Sequence, residues 1–94
     1  MLLKIDTQGF EHEVVAGAEG ILPLVEVVIL EAEFFRFTPN QLTIVETINM
    51  MAEREFYPYD IFGGGNRPLD GAASHLDIAF VRTDGIFRRD HRYR

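Results

Sequence analysis

Four charged residues in this chain combine side-chain type with a position suited to chemistry. Lys4 and Asp6 close a short apolar run that starts at Leu2, turns through Gly9 and enters a helical pattern with Glu11 in its first turn; Glu31 ends a second apolar run, Val27 to Leu30. In an open α/β sheet, ligands bind beyond the carboxyl ends of the strands. A carboxylate there can take up a proton or fix a polar group in place, and a lysine two residues earlier can neutralise it. Each residue also has a structural reading: Asp6 or Thr7 caps the helix that follows, and the helix dipole alone favours Glu11 and Glu13 in a first turn. Asp6, Glu11 and Glu31 lack the dense loop spacing of a dedicated site for a hard cation, so no metal is expected. His12, His75 and His91 lie far apart with no paired spacing, which argues against zinc or a catalytic triad. His12 and His75 read as surface residues, or as residues one layer behind a site. Cysteine is absent, so there is no disulfide, thiolate metal site or cysteine nucleophile.

The elements that must position these residues follow from periodicity. Leu2 to Ile5 reads as a strand covered on both faces, which would partly bury Lys4. Phe10, Val14, Val15, Ala18, Ile21 and Leu22 recur on one helical face, and Pro23 ends that helix. Gly17 and Gly20 weaken it and are expected to allow close approach to the sheet. Val25 to Phe34, β-branched in its middle, predicts a central buried strand whose end carries Glu31 and Glu33 to the same edge as Asp6. Phe34, Phe35 and Phe37 then form an aromatic cluster with three open roles: lid, substrate wall or core. Thr38 before Pro39 predicts a helix start, and Leu42, Val45, Ile48, Met51 and Ala52 continue it on one face to about Glu55. Phe56 to Phe62 contains Pro58 and reads as an edge strand. Gly63 to Gly71 is expected to be a long turn, and Leu76 to Arg82 a last strand, antiparallel because no helix precedes it.

The order β-α-β-α-β-β suits a layered α/β domain. With 94 residues there is room for one domain, burying only about 60–65% of its unfolded surface. A composition 47% hydrophobic and 26% charged is that of an ordinary globular protein. No apolar run approaches the roughly 20 residues that span a bilayer, and no signal peptide is recognisable, so a cytoplasmic location is expected. The net charge is −6, unevenly spread: residues 1–87 hold five Lys/Arg against fourteen Asp/Glu, whereas residues 88–94 hold four against one. An acidic body argues against nucleic acid as a partner, and the basic end is expected to fray. The division is therefore a folded body at 1–87 and a tail at 88–94.

Leu-Leu-Lys-Ile-Asp-Thr-Gln-Gly-Phe-Glu at 2–11, Val14 to Glu19, and Val-Val-Ile-Leu-Glu at 27–31 resemble the C-terminal half of FkbM-type methyltransferases. Tyr59-Asp60-Ile61, the Arg67 to Gly71 turn and Leu76 to Arg82 resemble that family's tail. The resemblance implies a partial class I, Rossmann-like sheet: three parallel strands plus one antiparallel strand inserted between the last two of them, with helices. It implies S-adenosylmethionine as cofactor and methyl transfer to a hydroxyl of a small molecule or sugar. Asp6 would then be the base or orienting group, Lys4 its charge partner or the stabiliser of a developing alkoxide, and Glu11 and Glu31 substrate contacts. The family's glycine-rich loop and ribose-binding acidic residue belong to the other half, and Gly63-Gly64-Gly65 does not replace them, since it precedes a strand and not a helix N-terminus. Met1 stands directly before the motif, which is expected of a chain beginning inside a longer parent domain and inactive alone. The alternative is a non-enzymatic α/β module that associates through its open sheet edge, as a homodimer or with the missing N-terminal half.

Overall fold

Four strands share one sheet in the computed structural model, which describes residues 2–5, 15–37, 39 and 41–93. They are β1 (Leu2–Ile5), β2 (Val27–Glu33), β3 (Phe56–Asn66) and β4 (Ala73–Arg82), with helix α1 (Ile44–Ala52) between β2 and β3. The spatial order is β1-β2-β4-β3. β1 pairs with β2 in parallel, Ile5 opposite Leu30, and β4 runs antiparallel to both β2 and β3. The expected three parallel strands are thus corrected to one parallel pair. β3 points the same way as β1 and β2, but β4 has taken the free edge of β2, so among the described residues β3 bonds only to an antiparallel neighbour.

The turn that returns β3 into β4 is tighter than the expected stretch from Gly63. Gly63 to Asn66 belong to β3, which follows β4 through register shifts after Pro58 and Phe62. Arg67 N–H donates to the Ala72 carbonyl at 2.8 Å, and Gly71 N–H to the Arg67 carbonyl at 3.0 Å. The Arg67 guanidinium grips Asp70 through two bonds of 2.9 and 2.8 Å, holding that carboxyl well below the usual carboxylate range. The same guanidinium lies 3.9 Å above the Phe35 ring. Phe35 therefore anchors the turn, whereas Phe34 and Phe37 are exposed.

One face of the sheet makes the core. Val28, Leu30 and Ala32 of β2 are completely buried with Phe80 and Ile78 of β4, and Val15, Leu22, Val25, Met51 and Phe56 close over them. The opposite residues of β2, Val27 and Ile29, are only half-buried, so this central strand is sealed on one face rather than two among the described residues. Helical backbone at 15–17 gives way to turns and a 3-10 segment, Leu22–Leu24; the expected start of that helix lies outside the described residues. Among the described residues, a Cβ at Gly17 or Gly20 would meet nothing within 4 Å, so neither serves a close approach to the strands described.

Helix α1 starts at Ile44 and not at Pro39, which sits in a turn; Thr38 lies outside the described residues. Thr43 is the N-cap, and the Glu46 carboxylate accepts from its N–H at 2.8 Å and its hydroxyl at 3.1 Å. Arg36 donates to the same carboxylate at 2.6 Å. This reciprocal capping satisfies the free N–H groups of Thr43 and Glu46. It also resets the inward face to Ile44, Thr47, Ile48 and Met51, leaving Val45 exposed, contrary to the expected stripe. Among the described residues, no helix is long and apolar enough to cross a membrane.

Candidate functional site

The carboxyl ends of β1 and β2 meet the start of β4 on the face away from the core. Alternation along β2 puts Val27, Ile29, Glu31 and Glu33 on that face, and the antiparallel register brings Val81, Ala79, Asp77 and His75 opposite them in turn. Lys4 pairs with Ile29, which sets it on the same face, diagonal to Glu31. Farther down, the chain beyond β4 crosses this face: Phe87 contacts Tyr59 with ring centroids 5.5 Å apart, and Arg88 lies 5.2 Å over Tyr57. The polar end above it carries Lys4, Glu31, Glu33, His75 and Asp77.

Glu31 and Asp77 face each other directly, an arrangement of like charges that costs energy in a sheet unless a cation or proton intervenes. The imidazole of His75 stands beside this pair, its Nε2 3.9 Å from Glu31 Oε1. The other ring nitrogen, Nδ1, is 2.8 Å from the hydroxyl of Ser74, a buried residue. Gly63, Gly64 and Gly65 of β3 complete the wall. A Cβ on Gly65 would fall 2.9 Å from His75 Cε1, one on Gly64 2.7 Å from the His75 carbonyl oxygen, and one on Gly63 3.2 Å from Asp77 Oδ2. The glycine triplet is therefore what lets β3 lie against His75 and Asp77. It opens no helix and offers no cradle for a cofactor, and the described residues supply no other glycine-rich turn from a strand into a helix.

Of the residues singled out from the sequence, Glu31 lies at this end with its side chain 20% exposed. Lys4 is exposed and not partly buried, because β1 is the last strand of the order and nothing among the described residues covers its outer side. Asp6 and Glu11 lie outside the described residues. His75, Ser74 and Asp77 were not expected together with Glu31. The alternation of Ser74, His75, Leu76 and Asp77 hints at two polar side chains on one face, but only the pairing of β4 with β2 shows which face. Among the described residues, no three or more His, Asp or Glu side chains are grouped to hold a metal ion.

Comparison with known proteins gives one positive finding. The family model described as the methyltransferase FkbM domain matches residues 1–59, a span that takes in β1, β2, α1 and the first four residues of β3 while leaving β4 outside. No curated protein matches the chain, and no solved structure does.

Proposed function

This chain belongs to the methyltransferase FkbM domain family, and on that premise we propose that it carries the acceptor side of an S-adenosylmethionine-dependent O-methyltransferase. The observation that carries this reading is the sheet order β1-β2-β4-β3 with its inserted antiparallel strand. It agrees with the C-terminal half of a class I, Rossmann-like sheet, and it collects acidic side chains and His75 where such sheets bind ligands. The acceptor in this reading is a hydroxyl of a small molecule or sugar. Glu31 and Glu11 hold its neighbouring polar groups, while Asp6 orients it or takes its proton, with Lys4 balancing the charge. The described residues do not fit the cofactor: the only run of glycines is spent on packing β3 against His75 and Asp77.

Two titrations test this division. Calorimetry of the 94-residue chain with S-adenosylmethionine is expected to show no saturable micromolar binding, and such binding would overturn the claim that this surface lacks the cofactor cradle. Titration of the isotope-labelled chain with methyl α-glucoside is expected to shift the amide resonances of Lys4, Glu31 and Asp77 together. Shifts scattered over the molecule, or none, would refute the acceptor-side reading.

A second reading rests on the position of β1. It stands at the end of the strand order, and its Leu2 is 62% exposed. Among the described residues nothing pairs with its outer side, and open ladders of this kind recruit other strands, so association through β1, with a second copy or with an N-terminal half of the domain, would make the chain a binding module. Sedimentation showing a stable, folded monomer across the micromolar range would count against it.

A further inference from the structure

We infer that His75 is the group that accepts the proton of the acceptor hydroxyl, with Ser74 as its positioning residue. The inference rests on the acceptor-side reading of this face and assigns a role within it; His75 itself lies beyond the span matched by the family model.

Three features of the geometry argue for it. The first is the ring's orientation. A neutral imidazole carries its proton on one nitrogen, and the hydrogen bond made by the other end decides which. Nδ1 has the Ser74 hydroxyl at 2.8 Å, whereas Nε2 faces Glu31 across 3.9 Å, beyond hydrogen-bond length. The Ser74 hydroxyl can accept from Nδ1–H or donate to Nδ1; the base we assign is the tautomer in which it accepts, which leaves the Nε2 lone pair bare.

The second feature is access. The side chain of His75 is 41% exposed at the crevice end of the sheet, and the missing Cβ of Gly65 gives the ring its slot against β3. The third is the charge around it. Glu31 and Glu33 face the ring from β2 and Asp77 lies beside it on β4, while Lys4 on β1 is the opposing cation of the same face. A proton gained at Nε2 turns the ring into a cation beside carboxylates, which is the logic by which an oriented imidazole serves as a base. In the step, the hydroxyl O–H bond breaks, an N–H bond forms at Nε2, and the electron pair stays on oxygen as the nucleophile. Asp6 is left with the orienting role.

The experiment uses the full chain with histidine ring nitrogens labelled by 15N. At a pH where the ring is neutral, the spectra should show His75 protonated at Nδ1 and bare at Nε2. Added methyl α-glucoside should shift the Nε2 resonance saturably. Ser74→Ala should mix the tautomers and weaken this binding about three- to tenfold, as expected for one lost hydrogen bond. Gly65→Ala, by pushing on the ring, should abolish the Nε2 response. In His75→Gln the Lys4 and Glu31 amides should still respond to the sugar. A wild-type ring protonated at Nε2 overturns the inference. So does a sugar response at Lys4 and Glu31 that leaves Nε2 unmoved, and in that case the acceptor-side reading stands. A response nowhere on this face overturns both.

Discussion

Alanine at Gly64 should cost far more stability than alanine at Gly71, although both glycines have left-handed backbones. Gly64 has φ +110° and Gly71 φ +76°, so an L side chain is strained at either place, by about 1–2 kcal/mol. Both gain back about 0.4–1 kcal/mol from the smaller entropy of the unfolded chain. What separates them is space. A Cβ at Gly71 meets nothing within 4 Å, whereas one at Gly64 falls 2.7 Å from the carbonyl oxygen of His75, on the backbone of the neighbouring strand. That contact cannot be relieved by turning a side chain. β3 must move off β4, a repacking that typically costs about 1–3 kcal/mol. Gly71→Ala should therefore lose about 1 kcal/mol and Gly64→Ala about 3 kcal/mol. A domain of this size has only about 5–14 kcal/mol in all, so the second loss is plain to see. Urea unfolding followed by circular dichroism should place the two midpoints about 1 M apart, for the slopes usual in small proteins. Gly65→Ala is the control: its Cβ would press on the end of the His75 ring, which can yield, so its stability should stay close to wild type while the ring moves. Equal losses at Gly64 and Gly71 would refute the reasoning, because they would mean that β3 and β4 do not meet at this register.

Two further outcomes follow from the core and from the start of α1. Phe56 is fully buried where β3 begins beneath the helix, and Phe56→Ala should cost about 3–5 kcal/mol; a loss below about 1 kcal/mol in urea unfolding would mean that the helix does not pack there. The hydrogen bond from Arg36, aided by the Thr43 N–H, lowers Glu46 from 4.5 to about 2. Since the folded value lies below the unfolded one, the contribution of Glu46 to stability is complete above pH 4.5 and is lost as pH falls toward about 2. Glu46→Gln should flatten that part of the acid profile, and wild-type and variant midpoints running parallel over this window would contradict the pairing.

Local signals carried much of the fold. The apolar runs at Leu2–Ile5 and Val27–Leu30 became β1 and most of β2, and Leu76–Arg82 fell within β4. Pro58 pointed to an edge strand, and β3 is one. These features are legible because each depends on neighbours within a few residues. Where a local signal misled, contacts farther along the chain show why. Thr38-Pro39 reads locally as a helix start, yet α1 begins after Thr43, whose N–H and hydroxyl donate to the Glu46 carboxylate that Arg36 also holds. The glycine run at 63–65 reads locally as a turn, yet it lies in β3 because His75 and Asp77 occupy the space beside it.

The sequence by itself determined the kinds of group available for chemistry: no thiol, a carboxylate and a lysine at the end of one strand, another carboxylate at the end of the next, all in an acidic body. Only the tertiary structure decided which of them meet. His75 stands 44 positions from Glu31 in the chain and yet within 3.9 Å of it. The cause is that β4 enters the sheet at the free edge of β2 instead of adding to β3's far side. Which edge a strand joins, and in what register, depends on the free energy of whole ladders and faces. No residue spacing encodes that choice, because a shift of one position would turn His75 and Asp77 into the core.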